Sequence, residues 1–383
     1  MKVDISRYRF FTFEYKDDFD GNFSFGGNKS GYAFKGEDLQ IKGWILPNFD
    51  TESYQLNLEV IENGRVIKSY PIELLDSPDV ASQFKDMSAA VKSRYHLTID
   101  HNLLQNDEYV VRLAYNSQAG RQRKRIKVWD IALISDTCKT PPVFVVGSPR
   151  AGTTAIGNSL RIALGAKNYG EHHFIELQKR INQTINEYFT TYHTRSDVGT
   201  FIEDISPALV KLKFENNVKD LYSHWNTGNY IVDKTPGRNM LNCIPLLLEI
   251  WPESKFIYCK RRAYENVRSR LAKFPNLDIY QHSSQWVETM NTWRKVKKHI
   301  PRNNFIELDQ QDMRKECSDL KIFLKSFLTD ELVNRVIEGL NDIEPQKSNY
   351  TDKDNFDSNI VKSICGDEMQ LNGYSLDPQK YYD

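Results

Sequence analysis

The first 140 residues alternate apolar and polar positions in short runs separated by turn residues, which predicts β-strands. Leu39–Leu46, Tyr54–Ile61, Val66–Ile72 and Tyr109–Tyr115 all carry the period of two. Glu62-Asn63-Gly64 predicts a tight hairpin between the second and third of these, because Asn-Gly supplies the positive φ angles of such a turn. Strands at this spacing, with no long helical pattern among them, predict an all-β sandwich over residues 1–140. After Thr140-Pro141-Pro142 short apolar strands alternate with helical stretches, the sign of a parallel sheet in a layered α/β fold. Residues 141–383 are therefore expected to form a second domain.

That second part opens on Val143-Phe-Val-Val146, a run suited to a buried parallel strand. The loop Gly147-Ser148-Pro149-Arg150-Ala151-Gly152-Thr153-Thr154 follows, and then Ile156, Leu160, Ala163 and Leu164 fall on one face of a helix. Strand, glycine-bounded loop and helix N-terminus together make an anion cradle of backbone N–H groups and helix dipole. In a phosphate loop a lysine follows the second glycine; here Thr153 stands there, and the loop's cation is Arg150.

Further along, residues 174–228 read as helical with a break at Asp197–Gly199, and a short strand is expected at Tyr230–Val232. Asn239–Trp251 reads as a helix with Pro245 at an early turn. A strand at Lys255–Cys259 leads to a helix that Arg261 begins and Lys273 ends, with Ser269 eight residues beyond Arg261. A guanidinium suits bidentate phosphate contact and a hydroxyl adds a donor, so this pair predicts a second anion site. A helix at Ser283–His299 buries Trp286, Met290, Trp293 and Val296, and Phe305–Leu308 is a last strand.

Composition narrows the classes. Fifty-one basic residues balance 51 acidic ones, which argues against a dedicated nucleic-acid binder. The run Arg121, Arg123, Lys124, Arg125 and Lys127 fits a solvated strand better than a contact for an anionic partner. Neither a signal peptide nor a membrane span is apparent. The five cysteines are scattered and never in a CxxC pair, so reduced thiols in a cytoplasmic protein are expected. His96 and His101 have no evident partners and are assigned to packing or surface.

Gly147–Thr154 resembles the phosphosulfate loop of the sulfotransferase family, and Phe256–Leu271, with Arg261 and Ser269 in place, resembles that family's 3′-phosphate motif. Asp233-Lys234-Thr235-Pro236, the segment ending Trp251-Pro-Glu-Ser-Lys, and the closing Cys365-Gly-Asp-Glu-Met and Asn372-Gly-Tyr374 are similar to the bacterial and tyrosylprotein-type branch. The stretch Ser77-Pro-Asp-Val80, Phe84 and Tyr95–Ile99 resembles a β-module found beside bacterial glycosyltransferase and sulfotransferase domains.

The resemblance implies a three-layer P-loop-like α/β fold and 3′-phosphoadenosine 5′-phosphosulfate (PAPS) as donor. Gly147, Ser148, Pro149, Arg150, Ala151, Gly152, Thr153 and Thr154 would hold the 5′-phosphosulfate, with Arg261 and Ser269 on the 3′-phosphate. Arg150 is placed to neutralise the leaving oxygen, where most of the family has lysine, and Lys234 to touch the sulfuryl oxygens. The cytosolic branch has a histidine after its Lys-Thr pair as general base, but here Pro236 occupies that place. By position His172 is the first choice for the base and Glu171 the second. Thr153 argues against phosphoryl transfer, and no metal is expected. The expected acceptor is a hydroxyl, a saccharide or surface-glycan precursor foremost, with a small metabolite, a lipid or a protein tyrosine as alternatives. A kinase and a non-catalytic nucleotide-binding module are the competing readings.

Overall fold

A computed structural model describes residues 7–15, 19–25, 30–47, 54–119, 122–136, 141–167, 171–193, 201–225, 230–314, 317–342 and 356–381. Its strands are β1 (Arg7–Glu14), β2 (Phe19–Phe25), β3 (Ser30–Phe34), β4 (Leu39–Pro47), β5 (Tyr54–Glu62), β6 (Arg65–Pro71), β7 (Leu75–Asp76), β8 (Lys92–Ile99), β9 (Glu108–Ala119), β10 (Gln122–Asp136), β11 (Val143–Gly147), β12 (Val232–Lys234), β13 (Lys255–Lys260) and β14 (Phe305–Asp309). The α-helices are α1 (Pro78–Gln83), α2 (Thr153–Leu164), α3 (Phe174–His193), α4 (Phe201–Asp204), α5 (Pro207–Trp225), α6 (Arg238–Leu241), α7 (Ile244–Ile250), α8 (Ala263–Lys273), α9 (Ile279–Val296), α10 (Ser318–Lys325), α11 (Asp330–Asn341) and α12 (Ser358–Leu371). Two units emerge, Met1–Lys139 with Arg180–Asn217, and Thr140–Lys179 with Val218–Asp383.

In the first unit, a six-stranded sheet ordered β3-β1-β10-β9-β5-β6 and a four-stranded sheet ordered β2-β4-β8-β7 are both antiparallel. Alternate residues of each sheet meet in one core, Phe10, Leu58, Val111 and Leu133 from the larger and Ile41, Ile45, Tyr95 and Ile99 from the smaller. Asn63 and Gly64 turn β5 into β6 at φ 50° and 75°, as the Asn-Gly signal predicts. On the other face of the larger sheet, Ala132 and Ile134 pack against Ala208 and Leu212 of α5. The fully buried Arg9 there pairs with Glu215 at 3.3 Å.

Two expectations for this unit change. His96 hydrogen-bonds Gln40 at 2.8 Å and His101 hydrogen-bonds Asp38 at 2.8 Å, so both histidines are partnered at the surface. Across β4 and β8, residues distant in sequence become cross-strand neighbours, which no local pattern reveals. The basic run belongs to β10, but Arg121 and the side chains of residues 122–126 lie outside the described residues, while Lys127 is buried.

The second unit is built on a parallel sheet ordered β12-β11-β13-β14. The pleat sends Val143, Val145, Ile257 and Cys259 to one face, where α2, α10 and α11 supply Ile156, Leu160, Leu320, Leu324, Val333 and Val336. Phe144, Phe256 and Tyr258 take the opposite face, with Phe144 against Trp251 and Tyr258 stacked on Trp293 of α9 at 4.2 Å. Helices on both faces give the α/β layering the sequence predicts.

Boundaries shift locally. The strand expected at Tyr230–Val232 runs instead over Val232–Lys234, where it pairs with Val143–Val145 of β11. The expected Asn239–Trp251 helix is two helices, with Pro245 in the first turn of the second, the position that tolerates a missing N–H. Helix α9 starts at Ile279, ahead of the expected Ser283, because Asp278 and Gln281 form a capping box. The break expected at Asp197–Gly199 lies outside the described residues.

Candidate active site

Strand β11 is fully buried and ends at Gly147, from which the loop runs to the N-terminus of α2. Gly147 has φ 137°, and an added Cβ would fall on the carbonyl oxygen of Cys259 in β13, so only glycine fits between these strands. Ala151 N–H donates to the Ser148 carbonyl at 3.2 Å, closing a tight turn. Arg150 sits inside that turn at φ 70°, a conformation that is rare for a residue with a side chain and concentrated at functional sites. Gly152 occupies the N-cap of α2 and offers no capping side chain, so the helix dipole faces the loop without a built-in acceptor. Thr153 is buried and Thr154 exposed at the first turn.

Helix α8 holds the loop from the side. Asn266 Nδ2 donates to the Pro149 carbonyl at 2.9 Å, and Ser148 Oγ donates to Asn266 Oδ1 at 3.3 Å. One turn on, Ser269 Oγ accepts Arg150 Nε at 3.0 Å. Arg261, between β13 and α8, donates through Nη1 to the Arg150 carbonyl at 3.3 Å, and its own carbonyl accepts Trp286 Nε1 at 3.0 Å. Both members of the expected second anion site thus contact Arg150 of the loop, Ser269 at the Arg150 side chain and Arg261 at the Arg150 backbone. Arg261 Nε is buried without a hydrogen-bond partner beside a cavity of about 260 Å³. Arg268 and Phe356 also line that cavity, with the guanidinium 4.4 Å above the ring. An orphaned buried donor, two guanidiniums and an uncapped helix N-terminus suit a ligand carrying two anionic groups. Helix α8 itself begins at Ala263, two residues beyond Arg261.

The third part of the site lies at the end of β12. Lys234 is buried next to α2, where a Cβ on Gly157 would come within 2.8 Å of its Cβ. Its ammonium reaches Glu171 Oε1 at 3.2 Å, and Glu171 Oε2 lies 3.1 Å from His173 Nε2. The Glu171 side chain keeps 39% of its exposure, the His172 side chain only 10%. His173 has its pKa raised, first by its bond to Glu176 and then by Glu171, against the opposing effect of burial. His172 turns inward instead, with Nδ1 3.5 Å from Asp233 Oδ2 and Nε2 buried. Asp233 is fully buried; Thr235 Oγ1 donates to it at 2.7 Å and Tyr222 OH at 3.1 Å. Burial, with Asp233 adding to it, pushes the Tyr222 phenol well above its ordinary pKa. Such a carboxylate would cost several kcal/mol if left uncompensated, about 3–5 by analogy with broken buried pairs.

Asn266, Asp233 and Tyr222 carry no role in the sequence reading. Asn266 shares a helical face with Ser269 three residues on, which could have marked it. Asp233 stands within the Asp-Lys-Thr-Pro segment already singled out, but nothing local points Tyr222 toward it. Among the described residues no helix is long and apolar enough to cross a membrane. The described Cys243, Cys259, Cys317 and Cys365 are free thiols.

Residues 141–317 match the family described as the Sulfotransferase family. Among solved structures the chain is similar to the sulfotransferase STF9 from Mycobacterium avium, at 13% identity over 61% of this chain and 76% of that one, with a TM-score of 0.37. It is also similar to the sulfotransferase domain of the curacin biosynthetic pathway, at 18% identity over 51% and 77% with a TM-score of 0.32. The sulfotransferase domain of the Synechococcus PCC 7002 olefin synthase follows at 16% identity over 63% and 85%, with a TM-score of 0.34. No curated protein matches the chain.

Proposed function

This chain carries a sulfotransferase-family domain over residues 141–317, and from that premise we propose that it moves a sulfuryl group from PAPS to a hydroxyl acceptor by in-line transfer. The observation that carries the proposal is the convergence of Arg261 and Ser269 on Arg150, which sets two anion-binding elements side by side. Bound PAPS supplies the sulfuryl group and a bisphosphate leaving group. The loop Gly147–Thr154 and the α2 N-terminus hold the 5′ end, and Arg261 with Ser269 the 3′-phosphate. Arg150 offsets charge that grows on the bridging oxygen, and Lys234 orients the sulfuryl oxygens.

For the proton on the acceptor hydroxyl, accessibility favours Glu171 over His172. Glu171 faces outward beside Lys234, whereas the His172 ring is nearly enclosed. The acceptor oxygen bonds to sulfur as its proton passes to Glu171, and the S–O bond to the nucleotide breaks. Residues 1–140 are read as a β-sandwich module and 141–383 as the catalytic domain. The module's resemblance to those beside glycosyltransferases puts a saccharide hydroxyl first among acceptors, and the unpaired cysteines suit a cytoplasmic setting.

The test is transfer from labelled PAPS to an acceptor panel of saccharides, phenols, lipids and tyrosine peptides, with and without a chelator. Label transfer that survives chelation is expected; transfer only from ATP with Mg²⁺ overturns the reading. Arg150→Ala should lower kcat by about 10²–10³-fold. Arg261→Ala should weaken binding of adenosine 3′,5′-bisphosphate by about tenfold or more, as loss of a charged hydrogen bond implies. Glu171→Gln should lower kcat by about 10²–10⁴-fold.

A further inference from the structure

We propose that His172 is a positioning residue, which holds Glu171 on the acceptor side of the site by gripping Asp233 and Thr235, and that it takes no proton from the acceptor. The proposal rests on Glu171 as the base. On β12, successive side chains point to opposite faces, so Lys234 lies toward α2 and Asp233 toward the interior behind it. The loop before α3 matches this alternation. Glu171 meets Lys234 at 3.2 Å, and His172 meets Asp233 at 3.5 Å. Two adjacent loop residues therefore hold two adjacent strand residues, one pair on each face.

The inner pair is held more firmly than the outer. The His172 backbone N–H donates to Thr235 Oγ1 at 3.1 Å, and that hydroxyl donates onward to Asp233 Oδ1 at 2.7 Å. Tyr222 donates to Asp233 Oδ2 at 3.1 Å, and its ring packs 5.5 Å from the His172 ring. Residue 172 is thus tied to β12 and its exit through both backbone and ring. The next residue, His173, adopts φ 51°, so the chain reverses at once into α3. Glu171 adjoins the tied His172 and is itself held by Lys234 on one oxygen and His173 on the other, so its carboxylate stays beside Lys234. A carboxylate facing Nδ1 selects a proton on that nitrogen, as in other carboxylate–histidine pairs. The remaining nitrogen, Nε2, is buried and offers no route to an external hydroxyl.

A mutant cycle on the whole chain tests this. Sulfate release from labelled PAPS to water, and transfer to the best acceptor of the panel, are measured for His172→Ala, His172→Asn, Glu171→Gln and the His172→Ala/Glu171→Gln double variant. If His172 acts through Glu171, His172→Ala lowers kcat by about 10²-fold, the scale of a misplaced reacting group. Affinity for adenosine 3′,5′-bisphosphate then stays within about twofold. His172→Asn, whose amide can replace the Nδ1 donor, recovers most of the loss. In the Glu171→Gln background the alanine change costs nothing more. Nitrogen NMR of labelled histidine should find His172 protonated on Nδ1, and that signature should vanish in Asp233→Asn.

Losses that multiply in the double variant would give His172 chemistry of its own and overturn the proposal. So would an Nδ1 found unprotonated, a measurement that stands even if the alanine variant fails to fold. Full turnover in Glu171→Gln alone would instead remove the base assignment on which the proposal rests.

Discussion

At position 147 the backbone lies in the left-handed region, and β13 runs so close that a Cβ would fall on the Cys259 carbonyl. Gly147→Ala therefore combines backbone strain with overpacking between the two central strands, and should cost about 3–5 kcal/mol. Its denaturant midpoint should fall accordingly, and an unchanged midpoint would mean that the strands can part without penalty. At this scale the sequence was informative wherever chemistry follows the chain. The glycine-bounded loop, Arg150 and the Arg261–Ser269 pair, singled out by their spacing, lie together in the fold. The choice between Glu171 and His172 was not legible. Two neighbouring residues with suitable side chains differ in which face of β12 each meets, and β12 follows them only after three intervening helices, α3, α4 and α5.

Among elements, α9 shows what a cap decides. Apolar spacing gave a stripe of Trp286, Met290, Trp293 and Val296, of which the first three are buried and Val296 is half-buried, and it placed the helix start four residues late. The true start is set by Asp278, which accepts from Gln281 N at 2.7 Å while Gln281 Oε1 accepts from Asp278 N at 3.0 Å. Asp278→Ala removes half of that reciprocal pair and should destabilise the protein by about 1 kcal/mol, with kcat and the donor KM unchanged. A change in kcat would show that the first turn of α9 reaches the chemistry. The β12 displacement has a different origin. Tyr230 and Ile231 carry the strand propensity, but hydrogen bonding with Val143–Val145 selects Val232–Lys234, so the partner strand overrides local preference.

For the whole molecule, period-two patterning up to residue 140 and the strand–helix rhythm beyond it were enough to separate antiparallel sheets from a parallel one. What the pattern could not carry is that residues 180–217 belong with the first unit. Their apolar positions, Ala208 and Leu212, look like any helical stripe until Ala132 and Ile134 are set against them. A protease site inserted between Lys139 and Thr140 tests this. The cut protein should still elute as one species on gel filtration and separate only in denaturant, because strands before the cut pack with α5 after it. Two fragments that part under native conditions would contradict that packing.

The same interleaving bears on how the chain is made. Domains generally fold in order as they leave the ribosome. Here the larger antiparallel sheet waits, with Arg9 lacking Glu215 and one apolar face open, until α5 has been synthesised. By then β11, the loop Gly147–Thr154 and α2 have already emerged. The loop Gly147–Thr154 is therefore translated before the sheet that precedes it can be covered.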